Sequence, residues 1–286
     1  MVSNFEPLTL YAPKSMNTAV IRTLSGWFPG LIASYAYKQL TNPQVKKLRA
    51  REEEVLDKSE KDLMEFQGFD IQLYKWGSGK ERVMLIHGWE GQAGNFADLV
   101  EELLKGDYTI YAFDGPSHGY STKGKTSLFE FTELVSVLIR RFEVSKLVSH
   151  SFGGVATTFA LFRNQDLIID RYVLLTTPDR FIERIEDVSA AVGITEEVKM
   201  MLLRRLEQET GENVEGLNVS DFVKEASVAK ALIIHDRNDR VIPIERSRNV
   251  FQGWKECRFT EIEGTGHFRI LREQSVLKET ISFLEE

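Results

Sequence analysis

The sequence predicts an α/β protein: a mostly parallel central sheet flanked by helices, with a helical cap insertion and an N-terminal helical extension. Two observations predict this class. Short apolar runs typical of strands covered on both faces alternate along the chain with helical patterns. The alternation stops after Asp179, and only helical patterns follow up to Ser227. We therefore expect an extension over residues 1–60, a core made of 61–178 and 228–286, and a cap over 179–227.

The length and the charge of the chain limit the classes of function. Its 286 residues can bury one large core plus a smaller appendage. The 36 basic and 43 acidic residues give a net charge of −7, and no basic run could follow a phosphate backbone, so we expect no nucleic-acid partner. The single cysteine, Cys257, excludes an internal disulfide and a cysteine-rich metal site. No two histidines have helical ligand spacing, so we expect neither a metal nor another cofactor.

The first 60 residues have helical patterns. Asn17 is a candidate N-cap of a first helix, and Pro29-Gly30 breaks or kinks that helix. Pro43 opens a second, heavily charged helix that we expect to run from Val45 to Lys61. The extension is therefore predicted to contain two helical segments.

The most apolar part of the extension, Thr18 to Tyr37, is interrupted by Arg22 and by Pro29-Gly30. It fits neither a signal peptide nor a membrane-spanning helix, so we expect a cytoplasmic protein without a transmembrane segment. Two interpretations of its apolar side chains stay open: a second lid or a membrane-surface contact, or a face packed on the core. Packing is the commoner fate of an apolar stripe at helical spacing. The side chains concerned are Trp27, Phe28, Leu31 and Ile32.

The strand patterns begin with two short extended segments around Gly68, between Leu63 and Trp76, which are typical of a hairpin. Ser127 and Glu130 form the capping-box pattern of a helix start. The remaining predicted strands are Val83 to Ile86, Tyr108 to Phe113, Lys146 to His150, Tyr172 to Leu175, Ala231 to His235 and Phe259 to Ile262.

The strand that starts at Lys146 ends abruptly in Ser151, and two glycines and a helical pattern follow. A serine hydroxyl is a poor nucleophile, so a fold that uses one presents it on a tight turn, within reach of a base and two backbone N–H groups. Such a turn tolerates only small residues two places before and after the serine, and Ser149 and Gly153 meet this demand. The segment resembles the nucleophile elbow of the α/β-hydrolase superfamily, with Ser149 where the commonest pattern has glycine.

The resemblance implies the α/β-hydrolase fold and a catalytic triad. The base of a triad should follow the last strand, and a carboxylate that orients it should follow the strand before. His267 and Asp239 occupy these places, and the order Ser151, Asp239, His267 is the order of α/β-hydrolases. Two other acids stay open: Asp236, which closes its strand, and Asp179, at a place that some relatives use.

The resemblance covers about residues 63 to 286 in order. It implies an oxyanion hole made by the backbone N–H groups of Trp89, after His87-Gly88, and of Phe152, after the nucleophile. The loop from Asp114 to Ser121 is part of the resemblance as well. In the resembling family, His87 and His118 belong to loops that shape the site without transferring protons. We expect the histidines that close two strands to be packed or hydrogen-bonded in place. The histidines other than the predicted base are His87, His118, His150 and His235.

These features predict a serine hydrolase that cleaves a carboxylic ester or thioester through an acyl-enzyme. The triad also leaves peptidase, lactonase and carbon–carbon bond hydrolase chemistry open, as well as a non-catalytic binding relative. Apolar cap residues, chiefly Phe181 and Met201, suggest a small or apolar acyl group, although the cap's own core is the commoner place for them. The expected partner is a small-molecule ester, and the sequence does not predict an oligomeric state.

One motif predicts a different class of function. Residues Gly119 to Thr126 fit the phosphate-loop pattern G-x-x-x-x-G-K-[ST], with a strand before it and a helix after. This would make the chain a nucleotide-binding protein. The bulky Tyr120 and Lys123 suit a phosphate-cradling loop poorly, and the first glycine lies five residues beyond Asp114. We therefore favour the hydrolase.

Overall fold

The computed structural model describes residues 18–286, without the side chains at positions 184, 188 and 191. The predicted N-cap Asn17 and the rest of the first 17 positions lie outside the described residues. The strands are β1 (Glu60–Phe66), β2 (Phe69–Trp76), β3 (Glu81–Ile86), β4 (Tyr108–Phe113), β5 (Lys146–His150), β6 (Ile169–Leu175), β7 (Val228–Asp236) and β8 (Cys257–Ile262). The helices are α1 (Thr18–Trp27), α2 (Pro29–Thr41), α3 (Ala50–Asp57), α4 (Ala97–Leu103), α5 (Leu128–Phe142), α6 (Phe152–Arg163), α7 (Phe181–Val192), α8 (Glu196–Thr210), α9 (Val219–Glu225), α10 (Ile244–Gly253), α11 (Gly266–Arg269) and α12 (Gln274–Glu285).

The eight strands of the described chain form one sheet in the order β1-β2-β4-β3-β5-β6-β7-β8. The hairpin β1-β2 and the pair β2-β4 are antiparallel, and the other neighbours are parallel. Six parallel strands, β3 to β8, therefore have their carboxyl ends at one edge of the sheet. Loops at that edge are where such sheets bind ligands.

The centre of the sheet is buried on both faces. On β3, Val83 and Leu85 belong to an apolar core that also contains residues of α4 and α12. Met84 and Ile86 point to the opposite face, because successive strand side chains alternate, and they are equally inaccessible to solvent. Full burial of each such side chain contributes about 1.5–3 kcal/mol. The observed sheet, flanked by helices, confirms the predicted α/β-hydrolase fold class.

The helix predicted from Val45 to Lys61 is shorter than expected. It begins at Ala50, because the Glu52 carboxylate accepts the backbone N–H of Arg49 at 2.8 Å and so caps the first turn. It ends at Asp57, because Glu60 and Lys61 pair with β2 as the first residues of β1. The predicted hairpin is observed, and so is the capping box at the start of α5.

The chain divides into two compact units. The helical unit contains residues 180–218 and the N-terminal region up to Thr41, and the sheet unit contains 42–179 and 219–286. In the helical unit, side chains of α2 such as Ala36 form a core with Ile185 of α7 and Leu202 of α8. These boundaries differ from the predicted ones, since 42–60 and α9 belong to the sheet unit. The role of 180–218 as a cap stays a prediction.

No helix within residues 18–286 combines the length and the apolar character needed to cross a bilayer.

Candidate active site

Ser151 occupies a one-residue turn between β5 and α6. Its backbone has φ 52° and ψ −121°, a left-handed conformation that is strained for a residue with a side chain. The turn is fixed on both sides: the Ser151 N–H donates to the carbonyl of Leu175 at 3.0 Å, and its carbonyl accepts the N–H of Gly154 at 2.8 Å. Strain of about 1–3 kcal/mol persists only where the surroundings over-determine the conformation. The half-buried Ser151 side chain is thus held in a defined position at the carboxyl edge of the sheet.

The small residues around Ser151 are required by close contacts. A Cβ on Gly153 would lie 2.5 Å from the carbonyl oxygen of His87, so no side chain fits at this position. A Cβ on Gly154 would lie 3.0 Å from Thr177 Oγ1, which is tight. The buried Ser149 hydroxyl, where the resembling pattern has glycine, hydrogen-bonds the Tyr172 hydroxyl at 2.8 Å. The departure from glycine is therefore accommodated by a specific partner.

Asp239 and His267 form a buried hydrogen-bonded pair. His267 Nδ1 donates to Asp239 Oδ2 at 2.9 Å, and the other oxygen of this carboxylate accepts the N–H groups of Val241 and Ile242 at 2.7 and 3.0 Å. His235 Nε2 lies 3.4 Å from the same Oδ2. Burial opposes ionisation of Asp239, but the hydrogen bonds from His235 and His267 outweigh it and lower the pKa of this carboxyl. An ionised Asp239 keeps the proton of His267 on Nδ1, which leaves the Nε2 lone pair available.

The other two candidate acids bind elsewhere. The buried Asp236 carboxylate accepts the hydroxyl of Thr265 and the N–H of Gly266, both at 2.7 Å. Burial would raise the pKa of Asp236, but these hydrogen bonds lower it. Asp179 Oδ1 accepts the N–H of the second residue of α9 at 2.9 Å. Asp236 therefore holds the loop that carries His267, and Asp239 contacts the imidazole itself.

The backbone of His267 lies next to the Ser151 turn. His150 Nε2 donates to the carbonyl of His267 at 2.8 Å, and the two rings lie 4.9 Å apart. Burial, reinforced by the neighbouring His267, lowers the pKa of His150 to about 3, so its ring is neutral. Within residues 18–286 no hydrogen bond joins the Ser151 hydroxyl to His267. Such contacts often form only when substrate is bound.

The two predicted oxyanion-hole donors are also neighbours of Ser151. A Cβ on Gly88 would lie 3.2 Å from the Cβ of Ser151, so Trp89 follows a residue in direct contact with the serine. The rings of Trp89 and Phe152 pack edge to face with centroids 5.2 Å apart. Phe152 is the first residue of α6, where a helix leaves its N–H groups without intrahelical acceptors. Neither N–H donates to an acceptor within the described chain.

Two buried histidines brace the loops after β3 and β4. His87 Nε2 accepts the N–H of Gly115 at 2.9 Å, and His118 Nε2 accepts the N–H of Glu90 at 3.2 Å. The other nitrogen of each ring donates to a nearby carbonyl at 2.7 and 2.9 Å. Burial lowers the pKa of both histidines, which keeps Nε2 free to accept. Glu90 has φ 59°, so the loop carrying Trp89 is held in a strained conformation.

The segment Gly119 to Thr126 does not form a phosphate-binding loop in the described structure. A Cβ on Gly119, whose φ is +44°, would lie 2.1 Å from the Asp114 carboxylate, so the turn closes on an anion. Lys123 Nζ donates to the carbonyl oxygens of Ser117 and Gly119 at 3.2 and 2.8 Å. Phosphate-binding loops present backbone N–H groups to their ligand instead. The geometry does not favour the nucleotide-binding hypothesis.

The predicted substrate contacts lie in the helical unit. Phe181 is half-buried and packs against that unit's core, whereas Met201 is 38% exposed. Their neighbours Ile182, Leu202 and Leu203 are buried in the same core. This is expected if the apolar residues of this segment mainly form its own core. A role of Phe181 and Met201 in substrate binding stays a prediction.

Comparison with known proteins agrees with the observed fold. A family model described as "alpha/beta hydrolase fold" matches residues 81–199. A solved membrane phospholipase A superposes with a TM-score of 0.64 at 15% identity, covering 93% of this chain and 94% of that one. The enol-lactonase from Burkholderia xenovorans LB400 gives a TM-score of 0.61 at 17% identity, over 79% of this chain and 100% of the other. At these identities the structural matches show that the chain has the α/β-hydrolase fold.

A curated relative is similar over a shorter stretch. The pimeloyl-[acyl-carrier protein] methyl ester esterase of Xylella fastidiosa (strain M12) is 31% identical over 113 residues, which are 40% of this chain and 42% of that protein. The chain thus spans about two fifths of the length of the curated relatives it matches. In the structure, Ser151, Asp239 and His267 follow the carboxyl ends of β5, β7 and β8.

Proposed function

We propose that this α/β-hydrolase is a serine hydrolase that cleaves a carboxylic ester or thioester with a small or apolar acyl group. The observation that carries the proposal is the buried 2.9 Å hydrogen bond from His267 Nδ1 to Asp239, on a loop bound to the residue that precedes the strained Ser151. Acyl transfer needs an acid, a base and a nucleophile, and Asp239, His267 and Ser151 would supply them. The relative named as a methyl ester esterase supports an ester as the bond that is cleaved.

Acylation of Ser151 would proceed through a tetrahedral intermediate. The Ser151 oxygen attacks the carbonyl carbon of the substrate while its proton passes to Nε2 of His267. Because Asp239 holds the other imidazole proton on Nδ1, Nε2 is the nitrogen that can accept. The negative oxygen of the intermediate accepts the N–H groups of Trp89 and Phe152. The intermediate then collapses, and the departing alcohol or thiol takes the proton from His267.

Deacylation repeats these steps with water as the nucleophile. His267 removes a proton from the water as its oxygen attacks the acyl carbon, and the second tetrahedral intermediate uses the same two N–H donors. On collapse the carboxylic acid leaves, and the Ser151 oxygen regains its proton from His267. In each half-reaction His267 thus acts first as a base and then as an acid.

Other chemistries share these residues. A peptidase, a lactonase or a carbon–carbon bond hydrolase could use the same triad, and the superposition with an enol-lactonase keeps cyclic esters among the substrates to test. A binding protein without activity has no need of a strained serine beside a buried acid–histidine pair. The enzyme is therefore the better supported of these classes.

Covalent labelling tests the nucleophile. A fluorophosphonate probe followed by peptide mass spectrometry should modify Ser151 alone, and Ser151→Ala should abolish labelling and lower kcat for a short-chain ester by at least about 10⁴-fold. Ser149→Ala is the matched control. Because the Ser149 hydroxyl binds Tyr172, this variant should leave labelling intact. Labelling of another residue, or equal labelling of Ser151→Ala, would remove the assignment. A panel of esters, thioesters and lactones of graded chain length then defines the substrate class.

A further inference from the structure

His235 has no step in the proposed mechanism, although it is completely buried near the end of β7. Its Nε2 lies 3.4 Å from Oδ2 of Asp239, the oxygen that accepts the Nδ1–H of His267 at 2.9 Å. The same Nε2 lies 3.0 Å from the carbonyl oxygen of Ile242. Two histidines therefore approach one oxygen of the candidate acid, one from β7 and one from the loop after β8.

The neighbours of His235 fix the position of its ring proton. Nε2 faces the Ile242 carbonyl and the Asp239 carboxylate, whose lowered pKa keeps it ionised, and neither group can donate. If Nε2 carried no hydrogen, three buried acceptors would face one another with no donor between them, which is costly. Nε2 is therefore an N–H donor that Ile242 and Asp239 share, with Asp239 at the longer distance.

The other ring nitrogen of His235 is held by Ser247 of α10. Nδ1 lies 2.6 Å from the Ser247 hydroxyl, which also lies 2.7 Å from the carbonyl oxygen of Thr177, in the segment after β6. Ser247 and Thr177 are both completely buried. Because a hydroxyl can donate or accept, Ser247 holds Nδ1 in either state of that nitrogen. The ring of His235 therefore cannot turn without losing hydrogen bonds on both sides.

These contacts complete the surroundings of the Asp239 carboxylate. Its Oδ1 accepts the N–H groups of Val241 and Ile242 at 2.7 and 3.0 Å, and its Oδ2 faces the two histidines. Rotation of the carboxylate would break contacts at both oxygens. Without the donor of His235, Oδ2 would be held by His267 alone, and the carboxylate could turn whenever that ring moves. Proton transfer requires a base held in one geometry, so this loss should slow the reaction.

We propose that His235 is a positioning residue of the triad, whose Nε2–H holds Oδ2 of Asp239 towards His267. Ser247 holds His235 in turn and so connects the segment after β6 to the acid. The effect on rate rests on the proposed hydrolase function, but the hydrogen bond between Asp239 and His267 can be measured without activity. In this role His235 does not touch the substrate, so its loss should lower kcat and leave KM unchanged.

Two amide substitutions separate positioning from the filling of space. In His235→Gln the amide nitrogen can reach the place of Nε2 and still donate to Asp239, whereas the shorter amide of His235→Asn reaches only the place of Nδ1, beside Ser247. With a short-chain ester we expect His235→Asn to lower kcat about 30-fold at unchanged KM. We expect His235→Gln to stay within about threefold of the unchanged protein.

Proton NMR of the full chain gives a readout that needs no substrate. The Nδ1–H of His267, bound to a carboxylate, should give a resonance downfield of the amide region that His267→Gln removes. This resonance should persist in His235→Gln and disappear in His235→Asn, because a carboxylate free to turn exposes the proton to exchange with water. Tyr172→Phe is the control for the loss of a buried hydrogen bond, here the one to Ser149. It should lower the free energy of unfolding and leave the resonance and kcat unchanged.

The outcomes are decisive in both directions. The proposal is overturned if His235→Asn keeps the resonance and kcat, or if the two amide variants lose them equally. Should His235→Asn fail to fold, Ser247→Ala replaces it: a fall in kcat of about fivefold at unchanged KM supports the proposal, and an unchanged kcat overturns it. Failure of the hydrolase proposal would differ, because the unchanged protein would then cleave no ester while the resonance still distinguished the two amide variants.

Discussion

Two regions around Ser151 use buried histidines in opposite ways. In the loops after β7 and β8, His267 donates a hydrogen bond to the Asp239 carboxylate, and His235 lies within 3.4 Å of the same oxygen. In the loops after β3 and β4, His87 and His118 accept backbone N–H groups and have lowered pKa values. All five histidines of the chain are buried, so burial alone does not separate the two groups.

The difference lies in what surrounds each ring. Burial disfavours the charged imidazolium of His87 and His118, and in His87 it outweighs the attraction of the Asp114 carboxylate, so both rings serve as neutral acceptors of N–H groups. A buried carboxylate needs donors, and a histidine beside it serves as one. The same residue type thus donates to a carboxylate in one region and accepts backbone N–H groups in the other. Four predictions, ordered by expected effect, test this contrast.

Asp239→Asn should have the largest effect. The amide can donate to His267 Nδ1, which would shift the ring proton to Nε2 and block proton transfer from Ser151, so we expect kcat to fall about 10⁴-fold with little change in the folded structure. Steady-state kinetics with a short-chain ester measure it. Asp179→Asn is the control, because Asp179 binds the start of α9, and its kcat should change only a few-fold. Equal losses in both variants would contradict the assignment.

Asp236→Asn should reduce both activity and stability. It weakens charge-assisted hydrogen bonds to Thr265 and Gly266, each worth about 1.5–3 kcal/mol, and loosens the loop that carries His267. We expect a fall in kcat of about 10²-fold and a lower free energy of unfolding in chemical denaturation. If kcat fell as far as in Asp239→Asn while stability stayed unchanged, Asp236 would be the acid of the triad instead.

His118→Phe should weaken the binding of negative charge by the proposed oxyanion hole. The substitution fills the space but leaves the Glu90 N–H without its acceptor, which costs about 1–3 kcal/mol of stability. We expect kcat to fall about tenfold with little change in KM, because in the proposed mechanism the Trp89 N–H binds the transition state. His118→Gln, whose carbonyl can accept the same N–H, should recover part of kcat. A rise in KM alone would place His118 in substrate binding.

Acid should destabilise the fold gradually. Burial lowers the pKa of His150 to about 3, whereas an unfolded histidine has a pKa of about 6.5. Between these values the unfolded chain binds a proton that the folded chain does not, so the free energy of unfolding falls as pH falls, by up to about 1.4 kcal/mol per pH unit for this residue. His87 and His118 act in the same direction. Denaturation between pH 4 and pH 7 should show a shallower slope for His150→Gln, and an identical slope would contradict the prediction.

Much of the fold followed from the sequence because its signals are local. Apolar runs marked the strands, and the small residues around Ser151 marked the tight turn. The order of Ser151, Asp239 and His267 suggested partners that the structure brings to one edge of the sheet, with Asp239 in contact with His267. The choice between Asp236 and Asp239 depended on the path of the loops after β7 and β8, which no pattern of residue types predicts.

The features that the sequence did not predict join distant parts of the chain. The hydrogen bond from Glu90 to His118 spans 28 residues, and that between Ser149 and Tyr172 spans 23. The helix expected from Val45 to Lys61 was too long. Its charged residues favour a helix locally, but its last two residues pair with β2 as part of a strand. Such outcomes depend on tertiary contacts that override local preference.

The shared core of the helical unit has a consequence for synthesis on the ribosome. The helices α1 and α2 leave the ribosome before the segment that completes their core, which begins at Arg180, roughly 140 residues later. At about 5–20 residues per second the wait lasts on the order of ten seconds. During that interval Ile32 and Ala36 lack the core in which the folded protein buries them, so the nascent chain offers a hydrophobic target to chaperones before the sheet unit is complete.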